Sequence, residues 1–171
     1  MWVVDSSAIS VLEGHTNCIW SLAVPGTQQP LLASAAADYT VKIWDTRTHS
    51  RSPLRASFKY TSNDDEEKWN PTCVSWDWEG RGVIIGWENA NVEMWDVEQG
   101  TATIKLMSND TAGTCALVSD VDVESGKSMQ VNCLVKHPSE KLVIAGYEDR
   151  NIRIFDTRTG APPHFSEDTY V

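Results

Sequence analysis

Leu31-Leu32-Ala33-Ser34-Ala35-Ala36-Ala37-Asp38-Tyr39-Thr40-Val41-Lys42-Ile43-Trp44-Asp45 is the stretch on which the fold turns. It reads as an apolar strand, a short turn holding Asp38, and an alternating strand that ends on an aromatic followed by Asp. Period-two alternation bounded by turn residues marks half-buried β-strands. The same sentence is written twice more. Val83-Ile84-Ile85-Gly86-Trp87-Glu88-Asn89 leads into Val92-Glu93-Met94-Trp95-Asp96, and Leu142-Val143-Ile144-Ala145-Gly146-Tyr147-Glu148-Asp149 leads into Ile152-Arg153-Ile154-Phe155-Asp156. Counting back six residues from Trp44, Trp95 and Phe155 gives Asp38, Asn89 and Asp149. A shared register over three copies is a repeat, and repeats of this length build arrays.

Working outward, another apolar strand precedes each copy, at Cys18 to Val24, Thr72 to Trp76 and Val131 to Lys136. A further strand follows the aromatic–Asp pair, at Arg55 to Lys59 and Thr101 to Met107, and the chain stops near where the third copy's fourth strand should lie. Four short strands per unit, joined by Gly, Asn and Asp turns, describe a blade of a β-propeller. No stretch of helical period competes. The expected architecture is all-β: a propeller fragment of about three four-stranded blades, roughly 11–59, 71–107 and 130–171, with acidic loops at 60–70 and 108–129. Since a propeller closes with roughly four to eight blades, three leave an incomplete ring with two raw flanks. The sequence is therefore expected to be a fragment of a longer product, a truncated gene model or one part of an assembled ring, needing the remaining blades as partners and self-associating when alone.

The first unit carries the fullest chemistry. Gly14 and His15 precede its first strand, Ser34 lies in its second, Asp38 in the turn and Trp44 in its third. These resemble the structural tetrad of WD40 repeats, in which Asp accepts from His, and His relays to Ser and then Trp. Buried indole and imidazole N–H groups need partners, so such a chain ties three strands to one turn. His15, Ser34 and Asp38 could also be read as a hydrolase triad, but nothing resembles a nucleophile elbow, and Trp44 completes the structural set. The other units carry Ile85 and Ala145 in place of Ser and lack the Gly–His pair. They are expected to be held more by apolar packing than by a network, with Trp95 finding some other acceptor.

The WD40 resemblance covers about residues 11 to 160. Leu12, Gly14, His15, Thr16, Trp20 and Leu22, with Leu32, Ser34, Ala36, Asp38, Val41 and Trp44, are similar to one of the later repeats of the striatin family. His137, Pro138, Glu148, Asp149, Arg150, Ile152, Phe155, Asp156, Thr159 and Gly160 resemble the next but one repeat, with a degenerate repeat between. The resemblance implies a protein-binding scaffold and regulatory subunit of a protein phosphatase 2A–kinase signalling assembly that includes germinal-centre kinases and Mob-like proteins. In that family a coiled coil engages the phosphatase, and no heptad stretch stands in these 171 residues. The alternative is a WD40 substrate receptor or peptide reader of another complex, and a propeller hydrolase ranks last.

Composition narrows the partners. The net charge is −10, with 24 acidic against 14 basic residues, which disfavours nucleic acid because phosphate backbones are bound mainly through Lys and Arg. No run of eighteen apolar residues spans a bilayer, and Met1 to Asp5 does not read as a signal peptide, so a cytoplasmic location is expected. Cys18, Cys73, Cys115 and Cys133 are widely spaced with no zinc pattern and are expected to be buried and reduced. No cofactor or metal is called for. Asp120, Asp122 and Glu124 fail as a calcium loop because Ser125 replaces the needed Gly and Val131 stands where Glu belongs. Asn109 and Thr111 form a sequon that a cytosolic chain would not use, and Trp76–Asp77 is a WD dipeptide in the wrong strand.

Strand alternation places both long loops on one face. Asp64, Asp65, Glu66 and Glu67 oppose Lys68 in the first; Asp110, Asp120, Asp122 and Glu124 oppose Lys127 in the second. Loops on a rigid scaffold often carry binding, so this is a candidate acidic docking face for a basic partner, although solvated loops would read the same way. Trp20, Glu88, Glu148 and Arg150, at strand starts or second-to-third turns, are expected to border it as partner contacts.

Overall fold

The computed structural model describes residues 11–47, 53–60, 68–106 and 130–160. The described residues form eleven strands. These are β1 (Ile19–Ala23), β2 (Leu31–Ala36), β3 (Thr40–Asp45), β4 (Leu54–Phe58), β5 (Pro71–Trp76), β6 (Gly82–Trp87), β7 (Val92–Asp96), β8 (Thr101–Leu106), β9 (Val131–Lys136), β10 (Leu142–Tyr147) and β11 (Ile152–Asp156). They pair in chain order into antiparallel sheets of four, four and three strands. The third sheet thus has one strand fewer than expected; residues 161–171, where a fourth would fall, lie outside the described residues, as do the acidic stretches 61–67 and 107–129 and Cys115.

The six-residue register has a local cause. Asp38, Asn89 and Asp149 each accept, through Oδ1, the backbone N–H two residues on, from Thr40 (3.1 Å), Asn91 (3.3 Å) and Asn151 (3.0 Å). This side-chain turn places the intervening Tyr39, Ala90 and Arg150 at φ of 64°, 67° and 71°. A short polar side chain that mimics backbone is therefore needed at one position in every copy.

The sheets stack through β5 and β9. Between the first and second sheets, small Ala33 and Ala35 with Val41 and Ile43 meet Val74, Trp76, Val83 and Ile85. Between the second and third, Ile84, Val92 and Leu106 meet Val131, Val143 and Tyr147. Large against small at close-packed density is what makes such seams specific. Polar staples cross both. Trp76 Nε1 donates to Ala23 O (2.9 Å) and Val74 N to Ser21 Oγ (3.2 Å). Thr72 Oγ1 donates to Val131 O, Trp78 Nε1 to His137 O (2.7 Å) and Tyr147 OH to Ala90 O (3.2 Å).

The outer flanks remain apolar and open. Ser21 and Ala23 turn toward the second sheet, so the alternate residues Leu22 and Val24 face away, 61% and 70% exposed. On the third sheet Leu134 and Phe155 face inward, leaving Val135 and Ile152 on the far side, 59% and 73% exposed. The expected burial of all cysteines is corrected here. Cys73 is buried at the second seam, but Cys133 sits on the outward face of β9 and Cys18 precedes β1, and both are exposed.

Candidate functional site

In the first sheet a single hydrogen-bonded chain runs from strand to strand. Trp44 Nε1 donates to Ser34 Oγ (2.7 Å), Ser34 Oγ lies 2.7 Å from His15 Nε2, and His15 Nδ1 lies 2.9 Å from Asp38 Oδ2. Since the Asp38 carboxylate can only accept, His15 Nδ1–H donates to it, and the serine hydroxyl, which receives the indole proton, gives its own to Nε2. Thr16 N and Thr40 Oγ1 also donate to Asp38 (3.0 and 2.6 Å). Burial works against ionising Asp38, but the bonds from Thr40, Thr16 and His15 outweigh it and hold the carboxyl down to about 2. Gly14 lies flat on the indole; a Cβ there would stand 3.1 Å from Trp44 Cη2. Ser34 is 1% exposed with its oxygen spoken for at both ends, which leaves no attacking hydroxyl. The arrangement ties strands together.

The other two sheets lack the four-residue chain, and each adds a smaller polar tie to its apolar packing. In the second, Trp95 Nε1 donates to Glu93 Oε2 (2.9 Å), and the fully buried Glu93 pairs with Lys105 Nζ at 3.2 Å. In the third, Arg153 Nη2 donates to Asp149 Oδ2 (2.6 Å) while its guanidinium lies over Tyr147, 4.1 Å from the ring centroid. Burial raises the Tyr147 hydroxyl's pKa. Lys42, Glu93 and Arg153 hold the same place, two residues before the aromatic. Residues two apart on a strand share a face, and that spacing was the available signal for the acceptor of Trp95. The WD dipeptide also has employment: Asp77 accepts from the N–H groups of Glu79, Arg81 and Gly82 and shapes the β5–β6 turn.

The turns β2–β3, β6–β7 and β10–β11 lie at the same end of the sheets as the starts of β1, β5 and β9. Equivalent backbone bonds fix this: Ala37 N to Cys18 O (2.8 Å), Glu88 N to Asn70 O (3.0 Å) and Glu148 N to Gln130 O (3.1 Å). Glu148 and Arg150 stand exposed on this end. Glu88 does not project freely; its carboxylate accepts from Asn70 N (3.1 Å) and Asn70 Nδ2 (3.0 and 3.1 Å). Each inner strand has a register shift near its start, at Ile19/Ser21, at Pro71/Cys73 and opposite Gly146/Tyr147. The extra residues are Trp20, Thr72 and Asn132. A bulge re-aims its side chain, and Trp20 is 48% exposed there, whereas Thr72 is spent on the second seam. Thr72 and Asn132 were not singled out in the sequence because bulges leave little compositional trace.

The family model described as WD domain, G-beta repeat, matches residues 6–45 and 119–156, passing over the middle unit. Striatin-4 of Homo sapiens is 35% identical over 162 residues, 94% of this chain and 19% of that protein. Striatin of Mus musculus is 29% identical over 154 residues, 90% of this chain and 17% of that protein. The chain thus spans about a fifth of the length of these curated relatives. The crystal structure of the computationally designed Ika4 protein is similar in fold, with a TM-score of 0.59 and 22% identity, covering 92% of this chain and 77% of that one.

Proposed function

For a chain of WD40 repeats homologous to striatins over nearly its whole length, we propose that it is a protein-binding scaffold module rather than an enzyme. Its partners would be components of a protein phosphatase 2A–kinase assembly of the striatin kind. The similarity to striatins over 90–94% of this chain is the observation that carries this reading. The geometry supports it, because His15, Ser34 and Asp38 are tied into the first sheet while Trp20, Glu148 and Arg150 stand exposed at one end. In this reading the end face receives the partner, Trp20 fills a pocket on it, and Glu148 and Arg150 set its orientation by charge. Aromatic and arginine side chains dominate interface energetics, and rim charges mainly govern encounter. Glu88 contributes as a brace for its turn.

The test is direct binding of the 171-residue chain to purified germinal-centre kinase, Mob-like protein and phosphatase scaffold subunit, by calorimetry or surface resonance. Binding to the kinase or the Mob-like protein is expected. Trp20→Ala and Glu148→Lys should weaken it by tenfold or more, about 1.4 kcal/mol, with unchanged melting temperature. Absence of binding to all three removes this assembly as the partner.

A further inference from the structure

We propose that two copies of this chain associate head to tail, the outer flank of the first sheet of one copy seating on the outer flank of the third sheet of the other. The inference rests on how the sheets pack and not on the scaffold reading.

The observation behind it is that the two exposed flanks are the unmatched halves of an interface the chain already builds twice. Strand pairing fixes the equivalences. Leu22 pairs with Ser34, Val74 with Ile85 and Leu134 with Ala145, and these partners each stand ten residues before the aromatic of β3, β7 and β11. Leu22 therefore occupies the place of Val74 and Leu134, and Val24 that of Trp76 and Lys136. In the middle sheet Val74 and Trp76 are the residues that pack onto the preceding sheet, 6% and 1% exposed. In the first sheet the same places are apolar and stand 61% and 70% open.

The third sheet shows the reverse. Ile144, Ile152 and Ile154 hold the places of Ala33, Val41 and Ile43 in the first sheet and of Ile84, Val92 and Met94 in the second. There these residues receive the following sheet, and Val41, Ile43, Ile84 and Val92 are fully buried. On the third sheet the receiving surface is present with no described residue seated on it, and Ile152 is 73% exposed. A donor flank and a receiver flank on one chain make a heterologous contact, which forms a ring when the rotation closes. Two copies bring six sheets together, inside the range of roughly four to eight at which propellers close.

The experiment uses the 171-residue chain, with multi-angle light scattering and sedimentation velocity over a concentration series. The expected species has twice the 19.0 kDa mass of one chain. Leu22→Glu and Ile152→Glu each put a charge on one flank at an already exposed position, so melting of the single chain should be unaffected, and each variant alone should run at the single-chain mass. Mixed in equal amounts, the two variants retain one intact donor and one intact receiver, and dimer should reappear. A parent that stays at the single-chain mass at 100 µM overturns the proposal, as do indefinite polymers. A dimer that survives Ile152→Glu but not Leu22→Glu shows like flanks meeting instead, and overturns it too.

Discussion

Replacing Ser34 by Ala deletes one oxygen and strands two groups. Trp44 Nε1 and His15 Nε2 both meet that oxygen at 2.7 Å. The Trp44 residue is 2% exposed and the His15 side chain 4%, so water does not readily replace it. A buried donor or acceptor left without a partner costs about 1–3 kcal/mol. Two such groups, with part of the imidazole's loss recovered by its link to Asp38, give a destabilisation of roughly 2–4 kcal/mol. For a chain of this size that is a fall in melting temperature of roughly 5–15 °C, and in urea a lower midpoint at unchanged slope. The informative companion is Ser34→Ala combined with Trp44→Phe, which removes donor and acceptor together. The third sheet carries that arrangement naturally, with Ala145 and Phe155 in the same two places. The double variant should therefore be more stable than the sum of its singles by about 1–2 kcal/mol. A Ser34→Ala midpoint within about 0.5 kcal/mol of the parent, or strict additivity of the pair, would refute the reasoning that the oxygen is a buried junction.

Acid should dismantle the same tie. The Asp38 carboxyl sits at about 2 in the folded chain against an ordinary 3.8, so its stabilisation is whole above about pH 4 and is lost as pH falls through 2. Asp38→Asn should flatten the dependence of the urea midpoint on pH across that window, and curves parallel to the parent's would clear Asp38 as the source. Gly86→Ala should lose about 1–3 kcal/mol by overpacking the second seam, because the new Cβ would lie 2.7 Å from Cys73 Sγ and 2.8 Å from Val131 Cγ1. Gly146→Ala meets only Cys133 Sγ, an exposed thiol free to swing aside, and thermal melts of the two variants should differ accordingly. Iodoacetamide under native conditions should modify Cys18 and Cys133 well before Cys73, whose thiol burial pushes up to about 11; peptide mapping that finds Cys73 labelled first would contradict its placement.

Most of the architecture was legible because its constraints repeat. The Asp38, Asn89 and Asp149 register was visible because one turn geometry demands the same kind of side chain each time. The strands fell within a residue or two of the expected limits for the same reason, since alternation and turn residues bound them. What could not be read was idiosyncratic to each sheet. Glu93 and Arg153 look like solvent-facing charges in an alternating strand, and only the seam that covers them turns one into the acceptor for Trp95 and the other into a clamp across Asp149 and Tyr147. The tetrad of His15, Ser34, Asp38 and Trp44 was recognisable because all four residue types were present at once. Glu88 stands in the turn where it was expected, but the bonds its carboxylate accepts from Asn70, eighteen residues earlier, left no trace in the sequence. Cys133 reads as an inward residue unless the bulge beside Val131 is known, for one extra residue exchanges the faces of everything on one side of it.

Among the described residues, the middle sheet has a neighbouring sheet on both faces, while the first and third each have one on a single face. In a stack of units that touch only their neighbours, loss of an end unit sacrifices one interface and loss of the centre sacrifices two. The second sheet, though it departs furthest from the repeat pattern, is thus the keystone of the stack. Bulk holds it on both sides, with Trp76, Trp87 and Ile85 toward the first sheet and Ile84, Val92 and Leu106 toward the third. Opening of the array is therefore expected to run inward from its ends, with the amides of β6 the last to exchange with solvent, which hydrogen-exchange mass spectrometry would check.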